Sequence, residues 1–143
     1  MSLEEKVISR GEADTEAVGA KLAREIGRGR VVLLDGDLGA GKTVFARGFA
    51  RGLGITEPVS SPTYTIVQEY PLPDGGRLYH LDLYRINGAS EALAFGVDEF
   101  LDDPCAVALV EWPERIASLL PPDAVTVHIA HLSPEQREIT VKK

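Results

Sequence analysis

Residues 36–43 read Gly36-Asp37-Leu38-Gly39-Ala40-Gly41-Lys42-Thr43, the spacing G-x-x-x-x-G-K-[ST]. Glycines at these positions let successive backbone N–H groups turn into one concavity that binds phosphate oxygens. A helix opening at Gly41 would add the positive end of its dipole. Lys42 then reaches the β- and γ-phosphates, and the Thr43 hydroxyl is a ligand for Mg²⁺. A glycine-rich turn without a ligand is the alternative, and a far weaker one, because the stretch follows a buried apolar run and precedes an amphipathic one.

A bound MgATP requires carboxylates for the metal and a group that orients the attacking water. Glu111 closes the apolar run AVALV (106–110), where a Walker B acid stands beside a phosphate loop. In YHLDLYR, alternation places His80, Asp82 and Tyr84 on one strand face and Leu81 and Leu83 on the other. Asp82 is a candidate second acid; spacing leaves an ordinary surface strand face equally open. SSPTY (60–64) reads from spacing as a proline-held turn. His128 and His131 are three apart, on opposite faces of a strand, and make a poor metal pair.

The elements that position these residues are legible in outline. GEADTEAVGAKLAREIGRG reads as a helix with Asp14 as N-cap, Val18, Leu22 and Ile26 on one stripe, and Gly27 or Gly29 at its end. RVVLLD (30–35) is a strand buried on both faces. A helix spans about Lys42 to Arg51, with Phe45 and Phe49 inward, closed by Gly52 and Gly54. The stretch 63–86 reads as an antiparallel hairpin turning at 72–77. Ser90 caps a short helix SEALAF, AVALV is a second buried strand, and WPERIASLL is a helix with Pro113 in its first turn. AVTVHIAHL and REITVKK form a last antiparallel pair around Ser133-Pro134.

Composition narrows the function. With 15 basic and 22 acidic residues the net charge is -7 and the pI about 4.9, so autonomous binding of RNA or DNA is not expected. Any connection to nucleic acid runs through another protein. The ten arginines and five lysines are scattered. Cys105 is the only cysteine, which fits a reducing compartment; beside AVALV it reads as a small buried hydrophobe rather than a reactive thiol. No apolar run approaches the ~20 residues of a membrane span, and MSLEEKVISR lacks a signal-peptide core. The expectation is one cytoplasmic domain over residues 1–143, α/β in class. A small-molecule or nucleotide kinase is a competing reading, though no segment is spare for an acceptor site or lid. A nucleotide-gated adaptor without useful turnover is another.

GDLGAGKT, SPTY, HLDLYR and VEWPER, in this order, resemble the TsaE (formerly YjeE) family, the bacterial ATPase of tRNA threonylcarbamoyladenosine synthesis. The resemblance covers about residues 12–140. It implies a P-loop NTPase-like three-layer domain whose mixed sheet has central parallel strands flanked by antiparallel ones. It also implies ATP/ADP and Mg²⁺ as ligands, and work with the TsaB and TsaD proteins. These transfer threonylcarbamoyl to the adenosine beside the anticodon of tRNAs reading codons that begin with A. ATP hydrolysis would reset that complex between turnovers, with tRNA contacted only through it and the isolated chain a monomer.

Carried over by position, the resemblance places Gly36, Leu38, Gly39, Ala40, Gly41, Lys42, Thr43 and Val44 around the phosphates. Thr43, Glu111 and Asp82 become metal residues, and Lys42, Asp82 and Glu111 the residues of hydrolysis. Glu12 and Thr15 would border the adenine, Glu114 and Arg137 would be further nucleotide contacts, and SSPTY becomes a switch. Val44 departs from a second Thr found in many members, and Gln136 from a glycine before Arg137.

Overall fold

The computed structural model describes residues 4–37, 39–59 and 66–143. The expectations placed on Leu38 and on SSPTY therefore lie outside the described residues. Seven strands form one sheet: β1 (Glu4–Ser9), β2 (Arg30–Gly36), β3 (Val67–Pro71), β4 (Arg77–Asp82), β5 (Ala106–Glu111), β6 (Val125–His131) and β7 (Arg137–Lys142). Their order across the sheet is β1-β7-β6-β2-β5-β4-β3. The run β6-β2-β5-β4 is parallel, and the outer pairs β1–β7, β6–β7 and β3–β4 are antiparallel.

Helices α1 (Glu12–Ile26) and α2 (Lys42–Gly52) cover one face, packing Leu22, Phe45 and Phe49 against Val32, Leu34, Leu109 and Val127. α3 (Ala89–Ala94), α4 (Val97–Leu101) and a 3₁₀ segment (Pro113–Leu119) cover part of the other, over Leu33, Leu81 and Val110. β5 is buried at every residue, as a parallel strand with helices on both sides must be. α1 and α2 approach closely because glycines line their contact. A Cβ on Gly19 would stand 2.5 Å from the Phe45 carbonyl oxygen, and one on Gly48 would fall on the Glu16 backbone.

Several local expectations are corrected. Gly11, not Asp14, is the N-cap of α1. Asp14 lies in the first turn, and its Oδ2 accepts from the Arg10 amide at 2.9 Å, the reach-back that a third-position acid makes. Gly88 rather than Ser90 precedes α3. β4 stops at Asp82, where the Leu83 amide turns to donate to the Glu111 carbonyl, so Leu83–Ile86 is not strand. Residues 113–119 are 3₁₀, kinked at the buried Ile116. β1 and α4 have no counterpart in the sequence reading. Cys105 is exposed, because β5 begins one residue later and Asp103 Oδ1 holds the Cys105 amide in the preceding turn at 2.9 Å.

Candidate functional site

Parallel strands place the ends of β2, β4 and β5 side by side. Leu34 pairs with Glu111 on one side of β5, and Asp82 pairs with Glu111 on the other. Two residues after Leu34, β2 ends and the glycine loop leads into α2, so the loop and both acids meet at the carboxyl edge of the sheet. Open α/β sheets bind ligands at this edge. Gly39 (φ 79°) and Gly41 (φ 107°) adopt the left-handed backbone that turns the loop into the helix. α2 has no acidic residue in its first turn and no side-chain cap on its first amides, which leaves a helix end suited to an anion. Thr43 stands in that turn, partly buried.

Lys42 is buried, and its ammonium lies 4.2 Å from the centroid of the Trp112 ring, a cation–π contact. Trp112 follows Glu111 directly and is the residue other than glycine with positive φ (59°) among the described residues. Positive φ is costly for a bulky side chain; here it folds the ring back from the strand end over Lys42. Tyr84 packs on the other partner of this group, with ring centroids 5.0 Å from those of Trp112.

Glu111 is 4% exposed and His80 1%, and His80 Nε2 lies 2.6 Å from Glu111 Oε2. Asp82 is less enclosed; its Oδ1 accepts from the Tyr84 amide at 3.0 Å. Burial pushes the Asp82 carboxyl above the usual carboxylate range and the charge of Glu111 adds to the rise, while the Tyr84 amide, His80 and Lys42 hold it back. The donors gathered here are carboxylate and hydroxyl oxygens, the hard ligands that Mg²⁺ takes, usually one or two carboxylates with phosphate and water completing the shell. A cation between the acids would also relieve the repulsion that Asp82 feels. The residues fit the ion.

A cavity of about 390 Å³ opens beside the loop, between the start of α1 and the β6–β7 turn. Such a volume is in the range of small-ligand pockets. Glu12, Thr15, Gly39, Ala40, Gly41, Val44 and Arg137 line it, so seven of the sequence-predicted nucleotide residues come together. Arg10, Gly11, Pro134 and Glu135 complete the lining. Glu12 is mostly exposed and pairs with Arg47 at 3.7 Å. Thr15 is buried, its Oγ1 hydrogen-bonded to Ser9 Oγ at 2.7 Å. Glu114 is exposed beside Pro113 and does not line the cavity.

The chain matches the family model "Threonylcarbamoyl adenosine biosynthesis protein TsaE" over residues 9–139. It belongs to the TsaE family. It is similar to the tRNA threonylcarbamoyladenosine biosynthesis protein TsaE of Bacillus subtilis, 45% identical over 130 residues, 89% of this chain and 78% of that protein. The family member of Treponema pallidum is 41% identical over 138 residues, covering 95% and 98%. A crystal structure of Bacillus subtilis YdiB superposes with a TM-score of 0.82 at 38% identity, across 99% of this chain and 86% of that one. The two folds thus agree across nearly the whole of this chain.

Two features of the site escaped the sequence. Arg137 Nε donates to the Ala40 carbonyl at 2.9 Å while its Nη1 donates to the Ser133, Pro134 and Gln136 carbonyls. His131, directly opposite Arg137 in the β6–β7 ladder, places Nε2 3.0 Å from the Gly39 carbonyl oxygen. Together they tie consecutive loop carbonyls to the hairpin, which requires knowing that β6 lies beside β2. The His80–Glu111 bond likewise needs the β4–β5 register. Trp112, next in sequence to Glu111, had a signal for its place beside the site, but its positive φ had none, since proline steers the residue before it to extended backbone.

Proposed function

We propose that this chain binds ATP with Mg²⁺ and hydrolyses it to ADP and phosphate, slowly alone and faster with TsaB and TsaD proteins, in the making of threonylcarbamoyladenosine on tRNA. The observation that carries the reading is the meeting, at one sheet edge, of the phosphate loop with Lys42 and the paired acids Glu111 and Asp82. The names of the relatives support the pathway. The partners come from the resemblance, and the net charge of -7 is consistent with reaching tRNA only through them.

In this reading the adenine side of the nucleotide occupies the cavity between Glu12, Thr15 and Arg137. The loop amides bind the phosphates, and Lys42 exchanges the indole face for phosphate oxygens. Thr43, Glu111 and Asp82 hold the metal, directly or through water. Magnesium bound there neutralises charge on the terminal phosphates. Asp82, at the end of β4 beside Glu111, would orient the attacking water. Bound nucleotide would then report its state to partners, and hydrolysis would return the complex to its starting form.

Phosphate release from MgATP, measured with the purified chain alone and with both partners added, tests the proposal. The expected result is slow turnover that rises on reconstitution and is lost in Glu111→Gln and Asp82→Asn while nucleotide binding survives. Parent turnover absent with partners present, or unchanged in both variants, would refute it.

A further inference from the structure

The partner of Glu111 is as informative as the acid. Glu111 has Leu34 and Asp82 as strand neighbours, one apolar and one of like charge, and neither can donate a hydrogen bond to it from a side chain. The donor comes diagonally from His80, which pairs with Leu109 two residues earlier in β5 and sits 2.6 Å from Glu111 Oε2. The other ring nitrogen, His80 Nδ1, is buried and has no hydrogen-bond partner among the described residues.

These two facts orient the ring toward Glu111. A carboxylate oxygen accepts, so Nε2 carries hydrogen. We infer that His80 is a positioning residue for Glu111: enclosed in the sheet with Nε2 turned to Oε2, it fixes the carboxylate and reserves Oε1 for a second ligand. Histidines that set the orientation of a metal-binding group act in this way. The ring has few torsions and is enclosed on all sides, so it fixes the carboxylate more firmly than a flexible donor would. This rests on the reading of Glu111 as a metal-facing acid.

The alternative is a histidine that merely satisfies a buried glutamate for the sake of the fold. The two differ in what they do to metal dependence. A long-range proton–nitrogen correlation spectrum of the labelled, nucleotide-free chain near neutral pH reports which ring nitrogens carry hydrogen, and His80→Gln assigns the signal. His80 should show a protonated Nε2. Affinity for ADP is then measured by calorimetry with and without Mg²⁺ for the parent, His80→Gln and His80→Leu. Leucine should reduce the gain from Mg²⁺ by about tenfold or more while leaving metal-free affinity nearly unchanged. Glutamine, whose amide N–H can replace Nε2–H, should restore most of the gain. A ring bare at Nε2, or a leucine variant weakened equally with and without metal, would overturn the inference. Should His80→Leu not fold, the spectrum and the glutamine variant still decide it. A parent that binds no ADP in either condition overturns the nucleotide reading instead, and the metal half of this inference with it.

Discussion

A half-buried carboxylate beside another acid costs folding free energy once it ionises, and Asp82 is such a group. Its pKa is raised by folding, so the folded chain holds the proton more tightly than the unfolded one. The stability contributed by that proton is complete below the ordinary carboxylate pKa of about 4 and is lost as pH rises through Asp82's raised value. Asp82→Asn removes the penalty and keeps an oxygen to accept from the Tyr84 amide. The metal-free variant should therefore melt above the parent at pH 7, with the difference shrinking toward pH 4, while the proposed hydrolysis should be lost. Thermal denaturation of both proteins across that range checks it. Lys42 offers a second test at this scale. Nucleotide phosphates would draw its ammonium off the Trp112 ring, so emission of the single tryptophan should change on adding ADP. Lys42→Ala should abolish that change and weaken ADP binding by about tenfold to a hundredfold, the worth of a charged hydrogen bond. An identical titration curve for parent and variant would remove Lys42 from the phosphate site.

The phosphate loop depends on elements far from it in sequence. Arg137 donates to the Ala40 carbonyl and His131 Nε2 lies 3.0 Å from the Gly39 carbonyl oxygen, which braces the backbone of the loop. Arg137→Ala should lower ADP affinity about tenfold, the scale of one charge-assisted bond, and lower the melting temperature as well. Arg137→Lys should rescue neither, because a single ammonium cannot serve the loop carbonyl and the three turn carbonyls at once. Calorimetric titration and a melting curve suffice, and full rescue by lysine would show that charge rather than bracing matters. The α1–α2 contact is stricter still. Gly48→Ala would drive a methyl into the Glu16 backbone, and neither helix can retreat from the sheet without opening the core around Phe45 and Phe49. Destabilisation of about 3 kcal/mol or more is expected, read as a fall in the denaturant midpoint.

For the molecule as a whole, electrostatics sets the partner class. Fifteen basic residues against 22 acidic ones leave little to release counterions from a phosphate backbone. Several arginines are engaged with acids: Arg28 with Asp74, Arg47 with Glu12 and Glu16, Arg51 with Glu16, and Arg77 with Glu69. The isolated chain should not shift tRNA in a gel at micromolar concentration and physiological salt. A shift that weakens steeply with added salt would reveal a basic face. No helix among the described residues is long and apolar enough to cross a membrane.

The glycine-rich loop was legible because its signal is local. Gly36 to Thr43 form a contiguous pattern that its own glycines and the strand and helix on either side mark in the sequence, although Arg137 and His131 brace the loop once the chain is folded. The buried strands RVVLLD and AVALV announced themselves for a similar reason: a strand covered on both faces has to be apolar throughout. Glu111, at the end of the second, could be placed as an acid near the loop, and the order of four motifs added Asp82. Edges and caps were harder. β1, with its exposed, charged Glu4–Lys6 start, has no apolar run and is a strand only because β7 offers it a partner. Cys105 looked internal from its neighbours, yet the strand register leaves it one residue outside. What the tertiary structure alone decided are the contacts across long separations: His80 with Glu111, Arg137 with Ala40, His131 with Gly39 and Lys42 with Trp112. Each depends on which strands are neighbours and in what register. That is settled by the packing of the whole sheet against α1 and α2, and residue types along the chain do not encode it locally.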